Sequence, residues 1–129
     1  MTELNQKVEQ YDLREHVVFL GRRNDIPDLL KMIDILIIPS AFEGFPLAGL
    51  VAAAGVPVIA CDAAGAEEFI RMSRDGVTFA EDDVDSAADA VGKILEGKEQ
   101  YKKAGIEFAS QMSNREYSTK IEQIFKSIE

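Results

Sequence analysis

The chain has one cysteine, Cys61, one histidine, His16, and no tryptophan. A single thiol excludes an intramolecular disulfide, and one imidazole with one thiol supplies no ligand set for a structural zinc site. Neither cross-links nor metal is expected to organise the fold, and no metal ligand or cofactor site is assigned. Long hydrophobic runs are also missing. The most apolar stretches, near 33–39 and 45–61, are interrupted by Asp34, Pro46 and Gly55, so neither offers the roughly 20 uninterrupted apolar residues of a spanning helix. No intrinsic membrane segment is expected. Positive charge is scarce as well: 14 Lys and Arg face 23 Asp and Glu, for a net charge of −9. That sign opposes nucleic-acid phosphates and anionic lipid, and no basic stripe overrides it locally. A phosphate-bearing ligand would have to be held by backbone groups or a few cations. The first dozen residues lack the basic start and apolar middle of a secretion signal, so a cytoplasmic location is the default expectation.

What remains is the composition of an ordinary globular domain, 47% apolar and 29% charged over 129 residues. One continuous core fits in that length; two do not. Leu4, Val8 and Tyr11 recur at helical spacing behind Thr2, which predicts an opening helix over 2–13. The run His16-Val17-Val18-Phe19-Leu20-Gly21 reads as a strand buried on both faces. Ile26, Leu29, Leu30 and Ile33 then predict a short helix behind Asp25 and Pro27. The alternation continues with strands at 34–40, 56–62 and 76–80 and helices at 46–55 and near 66–73. Three further helices follow, with apolar faces Ala87/Ala90/Val91/Ile94/Leu95, Tyr101/Ala104/Phe108/Met112 and Tyr117/Ile121/Ile124/Phe125/Ile128. Loop-like composition falls at 80–85 and around Gly97. Apolar strands alternating with helices predict an α/β fold: a Rossmann-like three-layer α/β/α unit with about four parallel strands, helices on both faces and a helical carboxyl-terminal tail. We expect one domain over 1–129, with an α/β core over 1–85 and the helical tail over 86–129.

Ligands of open parallel sheets bind beyond the carboxyl ends of the strands, so the residues that follow each strand are the candidates. They are Gly21-Arg22-Arg23, Pro39 through Pro46, Asp62 through Glu68, and Ala80-Glu81-Asp82. The second set is the most informative. Glu43 and Gly44 precede a helix start whose first N–H groups lack internal partners, and such an end attracts anions. Phe45, Leu47 and Ala48 can donate there, Pro46 cannot, and the Glu43 carboxylate accepts hydrogen bonds from a polyol. On spacing alone, the commoner role for Glu43 is to cap this helix. Glu67 and Glu68 likewise suit a helix start electrostatically, and adjacent arginines such as Arg22 and Arg23 are usually solvated. His16 lies ahead of its strand, at the opposite end of the sheet from these loops. The stretch Gly44-Phe45-Pro46-Leu47-Ala48-Gly49 lacks the Lys-Ser/Thr ending of a P-loop, and no G-x-G-x-x-G or G-x-S-x-G occurs. Nucleotide hydrolysis, dinucleotide binding and acyl transfer lose their signatures. A phosphoacceptor receiver would need an acidic cluster after the first strand, where Gly21-Arg22-Arg23 stands.

The order of these motifs carries more than any one of them. A V-x-F-L-G run, an acidic residue before an apolar strand and Pro39-Ser40, the Glu43-Gly44-Phe45 loop, Gly55-Val56-Pro57-Val58-Ile59-Ala60 and a turn ending in Glu68 follow one another. Together they resemble the carboxyl-terminal domain of the group-1 retaining glycosyltransferases with the glycosyltransferase-B fold, most strongly over 17–85. The resemblance implies binding of a nucleoside diphosphate sugar between two Rossmann-like domains, usually without metal. By it, Glu43 would contact hydroxyls of the donor sugar, Gly44, Phe45, Pro46 and Leu47 would lie by the sugar and diphosphate, and Gly21 and Arg22 near the base. Glu68 matches the glutamate of the family's G-G-x-x-E turn, with Ala64 at its first glycine.

Three departures accompany the resemblance. Val51 stands where the family has a second glutamate for the ribose. The segment from Glu43 to Gly55 is one residue shorter, which would rotate the helix end by about 100°. The chain also begins where the family's domain is partly built, without its first two strands, their basic loop or the acceptor-binding domain. The expectation is therefore a donor-binding fragment that binds a nucleoside diphosphate sugar weakly, with no catalytic residue assigned and no transfer by the chain alone. The competing expectation is a noncatalytic α/β assembly or scaffold module derived from such an enzyme. An apolar sheet edge left open would either close up within the chain or recruit a second copy, as a homo-oligomer completing the sheet.

Overall fold

The computed structural model describes residues 3–40, 53–62 and 65–111. Its centre is a parallel sheet of three strands, β1 (Leu36–Ile38), β2 (Val58–Cys61) and β3 (Gly76–Phe79), in the order β1-β2-β3. Leu36 lies opposite Val58 and Ile38 opposite Ala60. On the other side of β2, Val58 lies opposite Gly76 and Cys61 opposite Phe79. All four residues of β2 are buried, as expected of a central parallel strand covered on both faces.

Alternation along β2 sorts the core into two layers. Val58 and Ala60 join Leu30, Ile38, Val56, Ala66, Phe69 and Phe108 on one side. Ile59 points the other way, against Ala90 and Ile94, with Ile35, Val77, Phe79 and Tyr101 around them. The first layer is capped by α3 (Ala66–Ser73), whose Phe69 meets Phe108 edge-on, with ring centroids 6.0 Å apart at 85°. Complete burial of a side chain that size contributes about 1.5–3 kcal/mol from removal of apolar surface alone.

The second layer is covered by α4 (Val84–Gln111), a 28-residue helix that loses helical geometry at Gly97 (φ −112°, ψ 19°). The glycine marks the bend. The bend lets one continuous element serve both faces: Ala90 and Ile94 before it pack on Ile59, and Phe108 beyond it reaches Phe69. Two of the three carboxyl-terminal helices expected from sequence are thus one kinked helix, and the third lies outside the described residues. Gly105 lets α4 approach the segments that lead into the sheet; a Cβ there would stand 2.6 Å from the Ala53 carbonyl oxygen and 2.9 Å from the Asp75 Cβ. Gly76 is tighter still, its added Cβ falling 1.8 Å from the Val58 carbonyl oxygen.

The amino-terminal portion differs. Helix α1 (Glu3–Gln10) buries none of its residues, and α2 (Ile26–Leu30) buries only Leu30. The expected strand at 16–21 is not formed. Val18, Phe19 and Leu20 are 77%, 54% and 52% exposed, and the sheet's order leaves them out. A β-rich run becomes a strand only when a neighbouring backbone accepts its ladder. Here the Val17 amide turns back to the Leu13 carbonyl at 3.0 Å, as does that of His16. The sheet therefore has three strands among the described residues, within the α/β class expected. The predicted helix at 46–55 falls mostly outside the described residues.

Candidate functional site at the carboxyl rim of the sheet

The rim is built by short connections that leave each parallel strand. Pro39 and Ser40 follow β1, Asp62 follows β2, and Ala80, Glu81 and Asp82 follow β3. Pairing continues one step past the strands, because the Asp62 amide donates to the Phe79 carbonyl at 2.7 Å. That bond sets Asp62 beside the Ala80–Asp82 turn. The turn itself is closed by Asp82 in the left-handed region (φ 57°) and by the Ala80 amide donating to Ser86 Oγ at 3.1 Å. Asp83 then caps α4, its Oδ1 accepting from the Ser86 amide at 2.9 Å, the usual N-cap arrangement.

Electrostatically this rim is acidic. Burial pushes the Cys61 thiol up from its ordinary range, and the charges of Glu81, Asp62 and Asp82 push it further. Cys61 is held as the neutral thiol, a poor nucleophile. No three His, Cys, Asp or Glu side chains among the described residues are placed to hold a metal ion. Such a rim accepts hydrogen bonds from hydroxyls readily and disfavours phosphate, save near the start of α3. There Gly65 (φ 87°) precedes the helix and has no side chain to cap its first amides, the kind of helix start that suits an anion. Glu67 and Glu68 sit in that first turn. Glu68 is exposed and 3.8 Å from Arg71.

Of the residues expected to bind donor, Glu43, Gly44, Phe45, Pro46 and Leu47 lie outside the described residues, as does Val51. Gly21 is exposed with φ +63°, a conformation glycine adopts without cost. Arg22 beside it is exposed. Their neighbour Arg23 is engaged locally, donating from Nε and Nη2 to the two carboxylate oxygens of Asp25 at 2.8 and 2.5 Å. With no strand at 16–21, Gly21 and Arg22 are not carried to the rim by the sheet. The grouping of Asp62 with Glu81 and Asp82 was not singled out from sequence. It depends on β2 and β3 being neighbours, and twenty residues separate its members.

The family model for glycosyl transferases group 1 matches residues 2–111. The chain belongs to the group-1 glycosyltransferases. Among curated members, it is 35% identical over 88 residues to the UDP-Gal:alpha-D-GlcNAc-diphosphoundecaprenol alpha-1,3-galactosyltransferase of Escherichia coli, a match covering 67% of this chain and 23% of that protein. It is 31% identical over 100 residues to the lipopolysaccharide core biosynthesis mannosyltransferase LpsB of Rhizobium meliloti, covering 75% and 28% respectively. This group-1 chain thus spans about a quarter of the length of these relatives. Among solved structures, Anabaena Alr3699/HepE in complex with UDP and glucose superposes with a TM-score of 0.79 at 27% identity, over 98% of this chain and 35% of that one. The Rossmann-like parallel sheet flanked by helices is accordingly that of the carboxyl-terminal domain in the glycosyltransferase-B fold. No helix among the described residues is long and apolar enough to cross a membrane.

Proposed function

We propose that this chain is a donor-side module of a group-1 glycosyltransferase, binding a nucleoside diphosphate sugar weakly and not transferring the sugar by itself. The observation that carries the reading is the family match over 2–111, joined to structural similarity with a protein solved in complex with UDP and glucose. In this reading Glu43 accepts hydrogen bonds from the sugar hydroxyls. The amides of Gly44, Phe45 and Leu47 serve the sugar and diphosphate, and Gly21 and Arg22 stand by the base. The acidic rim at Asp62, Glu81 and Asp82 suits the polyol end of such a donor better than its diphosphate. Diphosphate affinity then rests on amides at helix starts rather than on cations, which accounts for weak binding. Val51 at the ribose position is the feature of this reading that speaks against turnover. We place the module in the cytoplasm, as one partial donor-binding domain over 1–129, and expect a second copy to pair along the outer edge of β1.

Calorimetric titration of the 129-residue chain with uridine, guanosine and adenosine diphosphate sugars tests the proposal. Saturable binding to one of them, weakened about tenfold or more by Glu43→Ala, supports it. Absence of binding at millimolar donor overturns it in favour of a noncatalytic α/β assembly or scaffold module. Val51 and the acidic rim are the features that favour that second reading.

A further inference from the structure

The most deeply buried polar cluster of the described residues lies away from the carboxyl rim, where α3 turns into β3. Asp75 is fully buried and Ser73 nearly so. The Ser73 hydroxyl lies 2.8 Å from the Phe69 carbonyl oxygen and 2.5 Å from Asp75 Oδ1. A hydroxyl has one proton to give. If it goes to the Phe69 carbonyl, which can only accept, the remaining contact needs a proton on the carboxyl. With Asp75 as the neutral acid, Oδ1–H donates to Ser73 Oγ and Ser73 Oγ–H donates to the Phe69 carbonyl, so both short contacts are hydrogen bonds at once. With Asp75 ionised, one of the two is lost. The other carboxyl oxygen, Oδ2, is buried without a hydrogen-bond partner among the described residues, tolerable for a neutral acid and costly for a carboxylate.

The surroundings supply no compensating charge. Asp75 packs under Gly105 of α4 and beside Ala53, and its own carbonyl accepts from the Val58 amide at 3.0 Å. Of the charged groups on the elements around it, Arg71 of α3, Arg74 just after it, and Lys102, Lys103 and Glu107 of α4 lie closest to it in the chain or to Gly105, and all are exposed, as are Glu67 and Glu68 in the first turn of α3. None contributes to the carboxyl's shift: burial raises it to about 6, against smaller downward pulls from the Ser73 hydroxyl and the residue's own backbone.

We propose that Asp75 is a proton-held latch, whose neutral acid completes a relay through Ser73 to the Phe69 carbonyl and whose ionisation loosens the α3–β3 corner beneath α4. The folded chain then holds this proton to higher pH than the unfolded chain does. Its contribution to stability is full below the unfolded carboxyl's ordinary value near 3.8, and is lost as pH rises through about 6. The domain works against a standing strain at neutral pH that mild acid relieves.

Urea unfolding of the full chain at pH 5.0 and pH 8.0, beside Asp75→Asn, tests the latch; both conditions avoid the isoelectric point near 4.6. Asn preserves the donor to Ser73 and cannot ionise. The wild-type unfolding constant should rise roughly tenfold more than that of the variant across this interval, and the variant should be the more stable at pH 8.0. Equal pH dependence in the two proteins overturns the proposal. Should the variant fail to fold, a carbon-13 titration of the Asp75 carboxyl in the wild type decides: a midpoint near 6 upholds the latch, and one at or below about 4 removes it.

Discussion

Two tetrapeptides in this chain, Val17-Val18-Phe19-Leu20 and Val58-Ile59-Ala60-Cys61, have nearly the same apolar character and opposite surroundings. The second is the wholly buried centre strand. The first is largely exposed and lies outside the sheet. What separates them is the supply of partners. Val58–Cys61 has a parallel ladder on each side and a helix over each face. Among the described residues, Val17 and Phe19 line a shallow groove with Asn5, Val8, Glu9 and Arg14, all from the amino-terminal end of the chain. Burial in an α/β unit belongs to positions in the sheet, and hydrophobicity alone does not confer it.

The contrast can be broken most severely at Gly76. An added methyl would collide with the Val58 carbonyl, and backbone cannot step aside as a side-chain tip can. Gly76→Ala is expected to cost about 4 kcal/mol or to prevent folding, measured by urea denaturation. Next comes a matched pair of truncations. Phe69→Ala, in the core, should cost about 3–5 kcal/mol, whereas Phe19→Ala should stay within about 0.5 kcal/mol. If the two losses are equal, the amino-terminal run is buried in solution and the comparison fails.

A smaller effect of opposite sign is expected at Gly92, inside α4, where an added Cβ meets nothing within 4 Å. Gly92→Ala should stabilise by about 0.5–1 kcal/mol, because alanine loses less backbone entropy in a helix. The smallest change concerns the Lys98–Asp34 ion pair, which ties α4 to the segment before β1. The Lys98 ammonium holds the Asp34 carboxyl below its ordinary range. Its contribution is present at neutral pH and disappears as pH falls through the carboxylate range, and salt should weaken it. Asp34→Asn should leave stability nearly unchanged and erase only that part of the salt dependence. This acid-side loss runs opposite to the trend from Asp75, so the two carboxyls are distinguishable by the pH at which each acts.

Much of the sheet was legible from local pattern. Val58–Cys61 between Gly55 and the small residues at 63–65, and Leu36–Ile38 before Pro39, have the continuous apolar runs and abrupt ends of parallel strands. The helix at Ala66–Ser73 followed from its acidic first turn and apolar spacing. The run at 16–21 had the same signature and did not become a strand, because periodicity reports what a segment could bury and is silent on whether a neighbour is there. Asp62, Glu81 and Asp82 were legible as strand-end residues, but not as one acidic grouping, because they meet through the β2–β3 pairing. The loop from Glu43 to Leu47 was legible as a motif, and its role rests on the donor titration.

The sequence by itself determined the α/β class and the family, since each is written in short-range apolar spacing or in the order of motifs. Tertiary structure alone decided which apolar runs are covered, that α4 bends at Gly97 to serve both faces of the sheet, and that Asp75 is enclosed with a serine in place of a cation. Those outcomes depend on contacts between residues far apart in the chain. The free energy of burying a group is set by its neighbours in space, and local pattern does not name them.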